Sequence, residues 1–186
     1  MNETLDNGLK IRRACLDDAS AIAAFHVRVW RETYGDIAPA EAVKVLDVER
    51  RLRSWKNSLQ DNNGTQTTLV AIDHKGLVGL INFGATKQVE FQDLAEIKHL
   101  YVDERGRGHG LGKRLITTAF HDLSEQGYEG VGLAVVQENL AARKFYKAIG
   151  GIETTTFIDP GPMWKSTNIL IAWSLRDIAA YMSARS

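Results

Sequence analysis

A glycine-rich stretch in the middle of the chain has the residue types and spacing of an anion-binding loop. Glycine stands at the four alternate positions 106, 108, 110 and 112, and the basic residues Lys113 and Arg114 follow at once. Glycine permits positive φ and close approach of the backbone to a ligand, and a helix that begins here would present unpaired N–H groups to negative charge. The chemistry indicated is the binding of a pyrophosphate.

The spacing of this loop excludes two common phosphate-binding motifs. A Walker A loop needs Gly-x-x-x-x-Gly-Lys-Ser/Thr, but Arg107 stands where its first glycine belongs and Arg114 follows the lysine. The Gly-x-Gly-x-x-Gly fingerprint fails because Leu111 and Lys113 occupy the positions where its third glycine is needed. What is present is Arg-x-x-Gly-x-Gly over residues 107–112, directly after a predicted strand that ends in Leu-Tyr-Val.

This pattern resembles the pyrophosphate loop of the GNAT superfamily of acyl-CoA-dependent N-acetyltransferases. A second motif supports the resemblance, because the family's Asn-x-x-Ala-x-x-Phe-Tyr-x-x-x-Gly is matched at Asn139, Ala142, Phe145, Tyr146 and Gly150. The two motifs have the order and separation that the family shows, and the likeness extends over residues 69–152, with looser agreement at both ends. The resemblance implies an enzyme that uses acetyl-CoA as its acyl-donor substrate.

The same resemblance implies which residues hold acetyl-CoA. Arg107 and the amides of residues 108–113 are expected at the pyrophosphate, with added charge from Lys113 and Arg114. Backbone of the preceding strand, at Leu100 and Val102, is expected to pair with the pantetheine amides as an added strand would. The full set of expected cofactor-binding residues is Leu100, Tyr101, Val102, Arg107, Gly108, His109, Gly110, Leu111, Gly112, Lys113, Asn139 and Tyr146.

Gly106 and Asn139 carry separate expectations. Gly106 stands where the family often has a larger residue before the arginine, which we expect to loosen the loop without abolishing binding. Asn139 is expected to contact the pantetheine or to cap the helix that it starts, and the two roles are compatible.

Acetyl transfer from a thioester to an amine needs a base for the amine and an acid for the leaving thiolate. A lysine-like amine has a pKa of about 10.4 and is almost fully protonated at neutral pH. A positioned base therefore helps by removing the proton that blocks attack by the amine. The resemblance implies Tyr146 as the acid, with packing against Phe145 as the alternative role. It implies Glu96, within Ala-Glu-Ile, as the base, the alternatives being an ion pair with Lys98 and a base drawn from elsewhere or from water.

Other reactive residues are given structural roles. His99 is expected to face the opposite side of the strand from Glu96, as a partly buried core residue. Cys15 is the only cysteine, so no internal disulfide is expected, and an acyl-cysteine is not expected because no His or Asp partner is spaced to activate it. The histidines have no metal-ligand spacing, and no metal is predicted.

The resemblance places the acceptor site among the first two helices, the loop between them and the late strands. Trp30 and Tyr34 are the predicted acceptor-binding residues, with Trp55 and the segment 157–164 nearby. Aromatic faces can hold a cationic amine, although Trp55 and Phe25 are better explained as core residues.

The predicted function is direct transfer of acetyl to a primary amine of a small molecule, with both substrates bound in a ternary complex. Two alternatives stay open. One is acetylation of a protein N-terminus or lysine, which an open groove would favour. The other is a CoA-binding sensor without turnover, against which the presence of both Glu96 and Tyr146 argues.

Composition is that of an ordinary globular protein, with 44% hydrophobic and 25% charged residues. Lys plus Arg and Asp plus Glu both number 23, so no overall field attracts nucleic acid or an anionic membrane, and neither is predicted as a partner. The first ten residues lack the apolar region of a signal peptide, and no apolar run approaches the ~20 residues of a membrane helix. A cytoplasmic location is expected, with a homodimer left open.

Hydrophobic periodicity predicts the elements that position these residues. Strands are predicted over residues 9–15, 67–73, 77–85, 94–102, 131–136, 152–158 and 169–175, and helices over residues 17–33, 48–59, 111–126 and 139–150, with a further helix starting at Pro39. Turns are predicted at residues 61–64 and 159–162, and a short helix or frayed end from Arg176. Residues 1–186 are predicted to form a single domain.

This layout is α/β. The GNAT fold that it resembles is a mixed, mostly antiparallel sheet of about seven strands with helices on both faces. In that fold the strand before the pyrophosphate loop and the strand after its helix run parallel and splay apart. In the first helix, Asp17 or Asp18 is the predicted cap, and the predicted apolar face is formed by Ala21, Ile22, Phe25, Val29 and Trp30.

Overall fold

The computed structural model describes residues 8–60, 64–161 and 164–176. In these ranges the strands are β1 (Lys10–Arg13), β2 (Gln66–Asp73), β3 (Gly76–Gly84), β4 (Ala95–Val102), β5 (Gly130–Val136), β6 (Ile152–Ile158) and β7 (Thr167–Ser174). The helices are α1 (Ala19–Tyr34), α2 (Ala40–Val45), α3 (Val48–Gln60), α4 (Leu111–Glu125) and α5 (Leu140–Ala148). The predictions for residues 1–7, 61–63, 162 and beyond 176 lie outside the described residues.

The seven strands form one sheet in the order β1-β2-β3-β4-β5-β7-β6. β1 pairs antiparallel with β2, and β7 pairs antiparallel with both β5 and β6. β4 and β5 pair in parallel, as they must when a helix connects them from one edge to the other. The predicted mixed, mostly antiparallel sheet is confirmed. None of the helices in the described ranges is long and apolar enough to cross a membrane.

By its internal contacts the chain divides into two compact units. The first unit comprises the chain up to Asn82 together with His99–Thr117, and the second comprises Phe83–Lys98 together with the chain from Thr118. In the first unit α1 packs on α3, and the predicted apolar face of α1 is buried at Ile22, Phe25, Val29 and Trp30. Ala21 is exposed, so its assignment to that face is wrong: Ala23, two residues further along the helix, is buried instead.

The start of α1 differs from the prediction. Asp18 occupies the N-cap position, but its side chain does not cap the helix. Its carboxylate instead accepts hydrogen bonds from the Arg12 guanidinium at 2.7 Å and from the Cys15 N–H at 2.8 Å. The Arg12 hydrogen bond lowers the pKa of Asp18 to about 2, despite the opposing effect of partial burial. The carboxylate therefore ties the end of β1 to the turn before α1.

The core of the second unit is built on β5 and on Trp173 of β7. β5 is buried along most of its length, as its continuous apolar run predicts. Trp173 contacts the rings of Phe120 at 5.5 Å and Tyr146 at 5.9 Å, and its indole N–H donates to the Ile149 carbonyl at 3.2 Å. Gly151 leaves room for this indole, since a Cβ there would lie 2.7 Å from Trp173 Cζ2.

Candidate active site

The glycine-rich loop lies in the first unit and begins with a tight turn after β4. The N–H groups of Gly106 and Arg107 both donate to the Asp103 carbonyl, at 3.0 and 3.1 Å. Gly106 is buried, and a Cβ at this position would lie 2.7 Å from Val102 Cγ1 and 2.8 Å from Leu111 Cδ2. The expectation that Gly106 loosens the loop is therefore wrong: glycine is needed because the turn packs against the start of α4.

The end of the loop has the geometry of an anion cradle. Gly108 and Gly110 adopt positive φ of 75° and 78°, and a Cβ at either would meet nothing within 4 Å. The N–H of Arg114 makes a helical bond to the Gly110 carbonyl at 3.0 Å, so the N–H groups of residues 111–113 precede the intrahelical ladder. These donors, together with the exposed side chains of Arg107 and Lys113, are of the kind that binds a phosphate group.

Two loop side chains bond to the loop itself. Arg107 Nε donates to the Val102 carbonyl at 2.9 Å, and its guanidinium lies 4.0 Å from Glu32 of α1. His109 donates from Nδ1 to the Arg107 carbonyl at 2.8 Å, since a carbonyl can only accept. Both side chains stabilise the loop conformation, and phosphate contact by Arg107 stays a prediction.

An ion network braces the same turn. Asp103 is 2% exposed and accepts from Arg105 at 3.0 Å and from Arg28 of α1 at 3.3 Å. Arg105 also pairs with Asp73 of β2 at 2.8 Å and donates to the Leu77 carbonyl. Sequence reasoning missed this network because its partners are far apart in the chain; an aspartate directly after an apolar strand was the available signal.

Glu96 lies in the second unit where the β4–β5 pairing ends. The ladder covers Ala95↔Val131 and Glu96↔Gly132, although β4 continues to Val102 and β5 to Val136. Glu96 is 6% exposed, and its carboxylate accepts a hydrogen bond from Gln88 Nε2 at 2.7 Å. Lys98 is exposed, so the partner seen for Glu96 is this amide rather than the lysine of the alternative interpretation.

In the second unit as well, Tyr146 lies in α5 and Asn139 stands at the N-cap of that helix. Asn139 caps this helix, since its side-chain oxygen accepts from the Ala142 N–H at 3.1 Å, which confirms the predicted N-cap. Tyr146 is 7% exposed and packs edge-on against Phe145 and Trp173, with ring centroids at 5.3 and 5.9 Å. This packing holds the phenol ring of Tyr146 in one orientation. Contact of Tyr146 or Asn139 with the cofactor stays a prediction.

The predicted acceptor residues Trp30 and Tyr34 lie on α1 with their rings 5.3 Å apart. Phe25 and Trp55 are both 4% exposed and belong to the core, as the alternative interpretation states. In the segment 157–164, Phe157 lies within β6 rather than in a loop. The segment's described loop residues bond locally, with the Gly161 N–H donating to the Asp159 carboxylate.

A cluster of rings that the sequence did not reveal lies in the first unit. His26 of α1 contacts Tyr101 at 4.7 Å, His99 at 4.9 Å and Trp55 at 5.9 Å between ring centroids. We call these four residues the His26 cluster. His99 is partly buried, as predicted, and shares a side of β4 with Tyr101. His26 follows Ile22 at a spacing of four residues, which was the available signal that it faces the core.

The sequence of this chain is similar to those of known acetyltransferases. The model of the acetyltransferase (GNAT) family matches residues 27–150, which include both sequence motifs. An uncharacterized N-acetyltransferase of Bacillus subtilis, YuaI, is 28% identical over 130 residues, which cover 69% of this chain and 72% of that protein.

Solved structures of low sequence identity share the fold. The PaiA N-acetyltransferase from Thermoplasma acidophilum, in complex with coenzyme A, superposes with a TM-score of 0.73 at 19% identity, covering 90% of this chain and 99% of that one. Mutant forms of the spermidine/spermine N-acetyltransferase SpeG from Vibrio cholerae give a TM-score of 0.67 at 15% identity, covering 95% and 99% of the two chains. Because the family model spans more than half of the chain, the protein belongs to the GNAT family of acetyl-CoA-dependent N-acetyltransferases.

Proposed function

We propose that the protein transfers the acetyl group of acetyl-CoA directly to a primary amine of a small molecule while both substrates are bound. The observation that carries this proposal is the buried carboxylate of Glu96 at the last paired residue of β4 and β5. Beyond this residue the β4 backbone runs on to Val102 and then into the glycine-rich loop. Glu96 thus lies on the same strand as Leu100 and Val102, whose backbone the family resemblance assigns to the pantetheine.

Acetyl-CoA, when bound, supplies an acetyl group activated as a thioester. Residues 108–113 would hold its pyrophosphate through their N–H groups, and the backbone of Leu100 and Val102 would orient its pantetheine arm. The ion network around Asp103 keeps the turn in place before any ligand arrives. Preorganised donors of this kind stabilise bound charge without further rearrangement of the protein.

Glu96 would act as the base. Gln88 Nε2 donates to one carboxylate oxygen, which fixes the orientation of the group, and the carboxylate takes the proton of the incoming ammonium. Tyr146 would act as the acid that protonates the departing thiolate. The thiol of CoA has a pKa similar to the value of about 8.5 for cysteine, so a weak acid such as a phenol is enough for this step.

Two observations support a small-molecule acceptor. Trp30 and Tyr34 of α1 lie with their ring centroids 5.3 Å apart, and aromatic faces can hold a cationic amine. Among the structural neighbours, SpeG is a spermidine/spermine acetyltransferase.

The test is release of CoA thiol from acetyl-CoA by the purified protein, with a panel of polyamines, amino acids, aminoglycosides and short peptides. The proposal predicts release that depends on one class of small amine. Release only with peptides would favour a protein acceptor, and bound acetyl-CoA without release for any amine would favour the sensor alternative.

A further inference from the structure

The two oxygens of the Glu96 carboxylate have different surroundings. Oε1 accepts the hydrogen bond from Gln88 Nε2 at 2.7 Å, and no residue in the described ranges donates to Oε2. In those ranges the fully buried side-chain atoms that lack a partner are His26 Nε2 and Gln66 Oε1. Because Oε2 is unpaired and is not one of these buried atoms, solvent reaches it. One oxygen is therefore held by the protein, and the other is open.

Gln88, which holds Oε1, is itself fixed by its backbone. Its N–H donates to Thr86 Oγ1 at 3.2 Å, and its carbonyl accepts from the Phe91 N–H at 3.1 Å. The second of these bonds closes the short 3-10 turn Val89–Phe91, whose N-cap is Gln88. An ionised carboxylate can only accept, so the NH2 group of the amide must face Glu96.

Phe91 anchors this turn on β5 beside the ladder partner of Glu96. The Phe91 side chain is fully buried, and a Cβ on Gly132 would lie 3.0 Å from its Cδ1 atom. Gly132 is the β5 residue that pairs with Glu96. All of these residues belong to the second unit, and close packing of this kind leaves a buried ring little freedom to move. The turn that carries Gln88 is therefore held against the strand pair that carries Glu96.

This arrangement suits a base that must be aimed. A general base has to lie within hydrogen-bond reach of the proton that it removes, and a misplacement of about 1 Å can cost about 100-fold in rate. Hydrogen bonds to a charged group are shorter and stronger than those between neutral groups, and the 2.7 Å distance to Oε1 is of that short kind. With Oε1 occupied by the amide, Oε2 is the oxygen left to receive a proton.

We propose that Gln88 is a positioning residue for acetyl transfer, whose amide holds Oε1 of Glu96 so that Oε2 takes the proton of the acceptor ammonium. This inference rests on the proposed function and deepens it. In the step, an N–H bond of the ammonium breaks and its electron pair stays on the nitrogen, while an O–H bond forms at Oε2. Phe91 and Gly132 support the amide through packing and take no part in the proton transfer.

Substitution of Gln88 tests the role of its amide. Gln88→Met keeps the length of the side chain and removes the donor, and we expect kcat to fall by about 10- to 100-fold. The KM for acetyl-CoA should stay within about twofold of the parent value, because the change leaves uniform binding intact. Gln126→Met, at an exposed glutamine, is the matched control and should leave kcat unchanged.

A second variant guards against a defect of packing. Gln88→Glu has nearly the same shape but puts an acceptor where a donor is needed, so its loss of kcat should be at least as large as that of Gln88→Met. A side chain that only fills space would tolerate this change. Thermal melting and calorimetric binding of acetyl-CoA confirm folding, and Gln88→Glu decides alone if Gln88→Met fails to fold.

A double-mutant cycle shows whether Gln88 acts through Glu96. In Glu96→Gln no base is left to orient, so adding Gln88→Met should change kcat/KM by less than about twofold. A merely structural role of Gln88 would lower the rate by the same factor in both backgrounds. The cycle therefore measures the coupling between the two side chains rather than the effect of either substitution alone.

The outcomes separate this inference from the function on which it rests. A loss of kcat that appears with Glu96 present and disappears in Glu96→Gln supports the inference. An active parent whose kcat is unchanged by the Gln88 variants, or an equal loss in both backgrounds, overturns the inference and leaves the proposed function standing. If the parent releases thiol with no amine, the proposed function itself fails and the role of Gln88 fails with it.

Discussion

The role proposed for Glu96 depends on what surrounds its carboxylate. The triplet Ala-Glu-Ile marked it as the base by family resemblance, but the triplet alone does not show what holds the carboxylate. In the structure the carboxylate is buried and receives the Gln88 amide at 2.7 Å. Gln88 lies eight residues earlier in an irregular loop, a contact that no periodic pattern predicts.

Replacing Glu96 with glutamine is expected to lower kcat/KM by about 100- to 10,000-fold. The loss should be largest below the pKa of the acceptor amine, because above it the amine is already free base. The measurement is a pH profile of kcat/KM for the parent and Glu96→Gln. The exposed Glu104→Gln serves as the control, and a variant profile that overlays the parent's would remove Glu96 as the base.

Replacing Tyr146 with phenylalanine keeps the ring that packs on Trp173 and removes only the hydroxyl. We expect kcat to fall by about 100-fold, the lower end for general acid catalysis, since a thiolate is an easy leaving group. Steady-state kinetics with Tyr128→Phe as the control would measure this. Full activity of the Tyr146→Phe enzyme would show that the acid is another group.

The buried His26 is expected to make the protein less stable as the pH falls. Burial lowers its pKa, and the charges of His99 and Arg51 act in the same direction, so the folded protein keeps it neutral where the unfolded chain binds a proton. The neutral imidazole therefore contributes fully to the free energy of unfolding above the unfolded pKa of about 6.5. This contribution is lost as the pH falls below that value, and the free energy of unfolding then decreases by up to about 1.4 kcal/mol per pH unit.

Urea unfolding at several pH values between neutral and acidic would measure this slope. The free energy of unfolding of the parent should fall more steeply below about pH 6 than that of His26→Asn, which has no imidazole to protonate. Equal slopes in the two proteins would contradict a neutral, buried His26.

At the scale of elements, the turn between β4 and α4 is defined by packing as well as by ligand chemistry. The glycine spacing predicted an anion loop, and the structure adds that Gly106 is enclosed by Val102, Leu111 and Val78. Family comparison suggested a loosened turn at this position, because the sequence alone does not show how closely α4 approaches the strand. The close approach became visible only once the neighbouring side chains were placed.

Gly106→Ala is expected to destabilise the protein by about 1 to 3 kcal/mol through overpacking and to weaken acetyl-CoA binding by shifting the loop. Gly108→Ala is the comparison, since its Cβ meets nothing within 4 Å and its cost of about 1 to 2 kcal/mol comes from positive φ alone. Chemical unfolding and calorimetric titration would measure both effects. An unchanged stability of Gly106→Ala would refute the packing account.

At the scale of the whole molecule, the fold could be predicted from the sequence, and the two family motifs could be recognised in it. Local patterns predicted the elements to within a few residues, and the parallel pairing of β4 with β5 followed from the family. Contacts between distant residues were not accessible in this way: His26 and Trp55 are 29 positions apart, and Arg105 and Asp73 are 32 apart. The error at Asp18 has a similar origin, because Arg12 of β1 takes the carboxylate that the local pattern assigned to α1.

The most direct test of the account follows the acetyl group itself. Acetyl-CoA labelled in its acetyl group is incubated with the parent protein and a mixture of small amines and lysine-containing peptides, and the label is located by mass spectrometry. The account predicts label on a small amine, none retained on the protein, and loss of this product in Glu96→Gln. Label on the peptides, or a stable acetyl group on Cys15, would contradict direct transfer to a small amine.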